Sequence, residues 1–154
     1  MCRKKVRDEL YMKEALKFAE KSLKISEVPV GAVIVLENEI ISTGMNKREF
    51  SKNALWHAEI EAINSACKKI GAWRLLNCEI FITLEPCLMC TGAIINSRIK
   101  RLVFGAFDTK SGACGSAAIN CLEFPFAHYF EEIKKGVLEN ECSEILKRFF
   151  KKLR

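Results

Sequence analysis

His57-Ala58-Glu59 and Pro86-Cys87-Leu88-Met89-Cys90 set one imidazole, two thiols and a carboxylate within a single stretch of the chain, from residue 57 to residue 90. An imidazole with two thiolates is a ligand set that suits zinc. Three protein ligands leave the fourth tetrahedral position open to water, the arrangement of catalytic rather than structural zinc. Glu59, two residues past the histidine, is placed to serve that water as acid and base without ligating the metal. The i, i+3 spacing of Cys87 and Cys90 puts them on one face of a helix. Pro86 suits a first helical turn, and a helix N-terminus favours thiolates. The expectation is one zinc per subunit on His57, Cys87 and Cys90, with Glu59 catalytic. A cysteine hydrolase built on Cys87 and His57 would leave the second thiol unexplained. A purely structural zinc module would need a fourth ligand and have no use for Glu59.

These groups need elements to hold them. Residues 3–24 carry Tyr11, Met12, Ala15, Phe18, Ala19 and Leu23 at helical spacing with lysines opposite, which predicts an amphipathic helix. Val28 to Leu36 is nearly all apolar and reads as a strand buried on both faces. Ile40 to Met45 returns antiparallel to it. His57 to Ile70 is predicted helical, with Ala58, Ala62, Ala66 and Ile70 every fourth residue and Gly71 as the stop. That would put the ligand and Glu59 in its first turn. Cys78 to Leu84, Cys87 to Ser97 and Lys100 to Ala106 form a strand, an apolar helix and a strand. Such a βαβ unit has parallel strands, and sites form beyond their carboxyl ends. The middle helix is apolar nearly all round, so burial is expected, with Met89 in the core. Phe107 to Ser116 is a glycine-rich loop at the same end, where Gly112 and Gly115 allow backbone shapes other residues resist. Phe130 to Lys135 is a short final strand ended by Gly136. Leu138 to Leu153 closes the chain as a helix with an apolar stripe of Cys142, Ile145, Leu146, Phe149 and Leu153 and a basic end of Lys147, Arg148, Lys151, Lys152 and Arg154. Asn46, at a strand end, suits a turn. Lys47 to Leu55 suits a solvated loop. Its Lys47, Arg48 and Lys52, interleaved with Phe50 and followed by Trp56, equally suit phosphate contact and base stacking.

The 154 residues fit one domain, spanning 1–154, with a sizeable core. At 49% hydrophobic and 29% charged the composition is that of a globular chain. No run of eighteen apolar residues predicts a membrane span. The N-terminus leads into charged residues rather than an apolar signal core, so a cytoplasmic location is the expectation. Eight cysteines are too few for a disulfide scaffold and read as reduced thiols. Cys67, Cys78, Cys114, Cys121 and Cys142 read mostly as small core residues, and Cys2 as exposed. The net charge of +6 points mildly to a polyanionic partner.

H-x-E followed by P-C-x-x-C is the signature of the zinc nucleobase deaminases. Beyond it, Glu27-Val28-Pro29-Val30-Gly31-Ala32-Val33, Asn46, Leu84-Glu85-Pro86-Cys87, and Phe104-Gly105-Ala106 with Asp108, Lys110, Gly112 and Gly115-Ser116 resemble the bacterial tRNA-specific adenosine deaminases, over roughly Tyr11 to Phe150. The resemblance implies a cytidine deaminase-like fold, a three-layer α/β/α sandwich on a mixed sheet of about five strands. It implies hydrolysis of adenosine to inosine at the wobble position of a tRNA anticodon, with the stem-loop as partner. Asn46 would bind the target base, and Pro29, Leu84, Asp108, Lys110, Lys47 and Arg48 would contribute further substrate contacts. Similar enzymes are homodimers whose RNA site spans both subunits. Where that family often has Asn-His, this chain has Ala127-His128, and His128 suits a supporting, substrate or surface role equally. A deaminase of free guanine or cytosine would share the zinc motif; Asn46 and the stretch from Gly105 to Ser116 favour the tRNA enzyme.

Overall fold

The computed structural model describes residues 2–127 and 129–154, so Met1 and the open question of His128 lie outside it. In chain order the elements are α1 (Cys2–Lys24), β1 (Gly31–Leu36), β2 (Glu39–Met45), α2 (Ala58–Ile70), β3 (Glu79–Leu84), α3 (Leu88–Asn96), β4 (Arg101–Ala106), β5 (Glu132–Lys135) and α4 (Glu139–Lys152). Two 3-10 turns, Cys121–Glu123 and Pro125–Ala127, lie between β4 and β5. The sheet order is β2-β1-β3-β4-β5. β1 is antiparallel to both β2 and β3, while β3, β4 and β5 run parallel. The mixed five-stranded sheet and its two covering layers are as the resemblance implied.

Strand alternation divides the core in two. Ala32, Ile34, Ile80, Ile82, Leu102 and Phe104 face α2 and α3, packing with Ala58, Ala62 and Ile94. Val33, Val35, Phe81 and Val103 face α1 and α4, packing with Met12, Ala15 and Cys142. Period-two alternation in strands that look uniformly apolar is what a doubly covered sheet requires. Gly44 sets how close α2 comes to β2: a Cβ there would lie 2.0 Å from the carbonyl oxygen of Ala58. The start of α2, which carries the predicted site, therefore rests on bare backbone.

Several boundaries differ from the sequence expectation, for identifiable reasons. β1 starts at Gly31, not Val28, because Pro29 has no N–H to offer a ladder; residues 28–30 form an extended wall instead. His57 and Cys87 are the N-caps of α2 and α3, with extended backbone, rather than members of their first turns. Pro86 thus precedes α3 instead of opening it. α3 is not buried all round: Leu88 is 54% exposed and Met89, Gly92 and Ala93 are half-buried, so Met89 is not a core residue. Cys78, Cys114, Cys121 and Cys142 are buried, Cys67 is half-buried and Cys2 is exposed, all as free thiols.

Candidate active site

β3 and β4 end side by side, and the chain leaving each one builds a wall of the same cavity. Leu84 at the end of β3 is followed by Glu85 and Cys87; after β4 come Phe107, Asp108, Thr109, Lys110 and Ser111. The N-terminus of α2 adds His57, Ala58 and Glu59. Val28, Val30, Asn46 and Arg48 close another side, and Leu146 and Phe150 of α4 another. The enclosed volume is about 460 Å³, within the range of small-molecule sites.

At its floor His57 Nδ1 lies 3.7 Å from Cys87 Sγ and 3.5 Å from Cys90 Sγ. Tetrahedral zinc with ordinary bond lengths sets its nitrogen and sulfur ligands about 3.6 Å apart. The three ligand atoms therefore already stand near the edges of such a tetrahedron, and among the described residues no fourth ligating side chain joins them. N-cap positions make this possible. Neither His57 nor Cys87 forms a side-chain cap hydrogen bond, so both side chains are left free to ligate. The nearly full helical turn from Cys87 to Cys90 then brings the second sulfur round to the same face.

The electrostatics of this cluster are unusual. A hydrogen bond from Cys90, with His57 adding to it, outweighs burial and lowers the Cys87 thiol to about 4. The same bond to Cys87, together with burial, pushes Cys90 far up. The hydrogen bond with Cys87 raises His57 against the opposing effect of burial, and the Arg48 cation nearby acts to lower it. One thiolate beside an imidazole is a site half-prepared for a dication, which would hold both sulfurs deprotonated. Burial pushes Glu59 up to about 7, with the Cys87 thiolate adding to the effect. A carboxyl titrating near neutrality can both take and return a proton within one turnover.

Around the floor, the residues singled out from the sequence separate. Asn46 lines the cavity, and its amide orientation is fixed: Nδ2 donates to Val28 O at 3.1 Å and Oδ1 accepts from Arg48 N at 3.3 Å. One N–H and acceptor capacity remain for a ligand. Leu84, Arg48, Asp108 and Lys110 also line it. The Asp108 carboxylate, however, is occupied within its own loop, accepting from the backbone N–H groups of Lys110 and Ser111 and from Ser111 Oγ. Two residues do not reach the cavity. Pro29 is buried behind it while Val28 and Val30 face it, because neighbours in extended chain alternate. Lys47 is tied to Glu61 at 2.6 Å, and Glu61 also accepts from Met45 N. Of the basic end of α4, Arg148 pairs with Glu20, and Lys147, Lys151 and Lys152 are exposed.

Other residues that line or brace the cavity escaped the sequence reading. The sequence puts Leu146 in the core stripe of α4 and does not single out Phe150, yet both line the cavity, at i and i+4 on that helix. Glu27 and Glu85 are almost fully buried, at 3% and 2% exposed. Glu27 accepts from Phe50 N at 2.6 Å, and Glu85 accepts from three backbone N–H groups of the 107–116 loop. A glutamate wedged between an apolar strand and Pro-Cys was the available signal for Glu85.

A metal-ready triad beside a carboxyl of this kind, at the end of a doubly covered sheet, is the equipment for hydrolytic removal of an exocyclic amine from a nucleobase. A MafB19-like deaminase family model matches residues 6–154. The tRNA-specific adenosine deaminase of Bacillus subtilis is 47% identical over 147 residues, covering 96% of this chain and 91% of that protein. A structure solved in studies of A-to-I editing by tRNA:A34 deaminases at the wobble position superposes with a TM-score of 0.83 at 37% identity, covering 88% of this chain and 97% of the other. A guanine deaminase from Bacillus subtilis is 38% identical with a TM-score of 0.63, covering 66% of this chain and 65% of the other. The chain belongs to the MafB19-like deaminases and, among them, to the tRNA-specific adenosine deaminases.

Proposed function

We propose that this protein converts adenosine to inosine at the wobble position of a tRNA anticodon, with water as co-substrate and ammonia as product. The observation that carries the chemistry is Glu59, buried in the cavity beside the His57, Cys87 and Cys90 cluster and raised to about 7. His57 Nδ1 and the sulfurs of Cys87 and Cys90 would hold one zinc ion per chain. Zinc bound there supplies a Lewis acid that makes a water nucleophilic at neutral pH. Glu59 takes a proton from the attacking water and delivers it to N1 of the adenine. It then carries a proton to the amine leaving C6. Backbone N–H groups at the starts of α2 and α3 have no intrahelical partner and suit the attacking oxygen. The remaining N–H and acceptor capacity of Asn46 suit the purine edge, and Leu84, Val28 and Val30 suit its faces. Anticodon bases are already partly unstacked, so seating one in a cavity costs less than from a duplex.

The substrate contacts follow the geometry. Arg48 and Lys110 line the rim as cations, and Phe50 is 72% exposed on the same loop as Arg48, available for stacking. The half-exposed face of α3 supports a homodimer, with a second copy covering Leu88 and its neighbours. The free thiols support a reducing, cytoplasmic setting, and among the described residues no helix is long and apolar enough to cross a membrane.

The test is sequencing of tRNA incubated with the pure protein. Inosine is read as guanosine after reverse transcription, so an A-to-G change confined to the wobble position is expected. The likeness to guanine deaminase favours one second reading, a free-base deaminase. Turnover of free guanine or cytosine with tRNA left unchanged would establish that reading instead.

A further inference from the structure

The 107–116 loop forms one wall of the cavity and contains no helix or strand of its own. Its shape comes from the segment just after β3. Glu85 Oε2 accepts from Asp108 N at 3.0 Å. Glu85 Oε1 accepts from Cys114 N at 3.0 Å and from Ser116 N at 3.1 Å. One carboxylate thus fastens the loop where it leaves β4 and where it turns back. The next two residues fasten it again: Ala113 N donates to Pro86 O at 2.9 Å, and Cys87 and Gly112 form an isolated antiparallel bridge. Gly112 is a glycine because of this clamp. A Cβ on it would lie 2.4 Å from Asp108 O and 2.5 Å from the Glu85 carboxyl carbon.

Glu85 is a deliberate feature rather than an incidental core residue. It is 2% exposed, and among the described residues no lysine or arginine pairs with it. An acidic side chain is costly to bury unless its acceptors are filled, and here all three donors are backbone amides of a single functional loop. We infer that Glu85 is a positioning residue for substrate recognition: it holds the wall formed by Asp108, Thr109, Lys110 and Ser111 at a fixed distance from Cys87, so that the tRNA-binding rim and the metal-binding floor keep one register. The inference rests on the deaminase reading given above and adds a residue that acts through the loop it holds.

Glu85→Gln keeps the size of the side chain but replaces one oxygen by an amide NH₂. Whichever way the amide turns, at least one loop N–H then faces another donor. Two measurements on the zinc-loaded protein decide the matter. In steady-state assays, KM for tRNA should rise at least about tenfold, the scale of one unsatisfied buried donor, with kcat falling less and zinc content unchanged. In hydrogen exchange, the amides of Asp108, Cys114 and Ser116 should exchange at least about tenfold faster, while those of β1 and β3 keep their protection. Gly112→Ala, which disturbs the same clamp with the carboxylate intact, should reproduce the KM-weighted loss and decides the question if Glu85→Gln does not fold. The inference is overturned if KM stays within about twofold, if zinc and kcat are lost while KM is unchanged, or if the three amides exchange as in the parent. A parent protein that ignores tRNA but turns over free guanine sinks the tRNA reading alone; the exchange rates, and KM for guanine, then judge Glu85.

Discussion

The two ends of the parallel strands handle charge in opposite ways. At the N-terminal end, neighbouring strands place Glu79, Arg101 and Glu132 in register. Arg101 grips the buried Asp8 through two bonds of 2.7 Å and also meets Glu79 at 2.9 Å and Glu132. Lys134 adds a second cation on Asp8 at 2.9 Å, and Arg7 a second on Glu79 at 2.6 Å. There, each acid is answered by at least one cation. At the C-terminal end, Glu27, Glu59 and Glu85 are as deeply buried, yet among the described residues none has a lysine or arginine partner. Glu27 and Glu85 are satisfied by backbone amides, and Glu59 lies beside sulfur and imidazole. The lesson is that a buried acid matched by a cation is spent on stability, whereas one matched by amides or thiols leaves its charge available to shape or drive a site.

The sharpest break of that comparison is at the floor of the cavity. Cys87→Ala should remove the metal and reduce deamination to background, with elemental analysis showing loss of the ion. Glu59→Ala should keep the metal while deamination falls by about 10²–10⁴-fold, the usual worth of acid/base help; near-parental turnover would refute the assignment. At the opposite end the same kind of change should act on stability alone. Arg101→Met strands Asp8 and Glu79 without their main cation and should cost about 3–5 kcal/mol, measured by urea unfolding, with kcat of the folded protein retained.

Acid sharpens the contrast further. Burial alone would raise Asp8 and Glu79, but Arg101 and Lys134 on the first, and Arg7 and Arg101 on the second, hold both below their ordinary values of 3.8 and 4.5. A depressed carboxyl contributes stability that is complete above its ordinary value and is lost as pH falls through its folded value. Urea midpoints should therefore drop below about pH 4, and drop less in Arg101→Met, where the cation responsible is gone. The smallest effect belongs to the rim. Arg48→Ala should lower the salt dependence of tRNA binding by about one phosphate contact, while Lys47→Ala, whose charge is already answered by Glu61, should change it less.

Sequence patterns disclosed whatever depends on local order. Apolar runs gave the strands, fourfold spacing gave α2, and His57, Glu59, Cys87 and Cys90 stood out because their chemistry is explicit in residue type. Lys47 and Arg48 were indistinguishable as adjacent cations, because the difference lies in Glu61, fourteen residues later and one strand-to-helix packing away. Pro29 was grouped with its neighbours, although alternation turns it from the cavity. Glu27 and Glu85 left no periodic trace, since their partners are amides 23 to 31 residues distant, and a backbone N–H has no letter in a sequence.

That last property has a practical side for protein engineering. Both rim loops hang on hooks that are blind to side chains: the amide of Phe50 on Glu27, and those of Asp108, Cys114 and Ser116 on Glu85. Every residue type but proline supplies such an amide. Libraries that rewrite exposed positions of the two loops should therefore keep their folds, so that new base or backbone preferences can be sought without rebuilding the domain. Proline at 50, 108, 114 or 116 would unhook a loop, and Gly112 and Gly115 have to stay glycine, the first for space and the second for its φ of 118°.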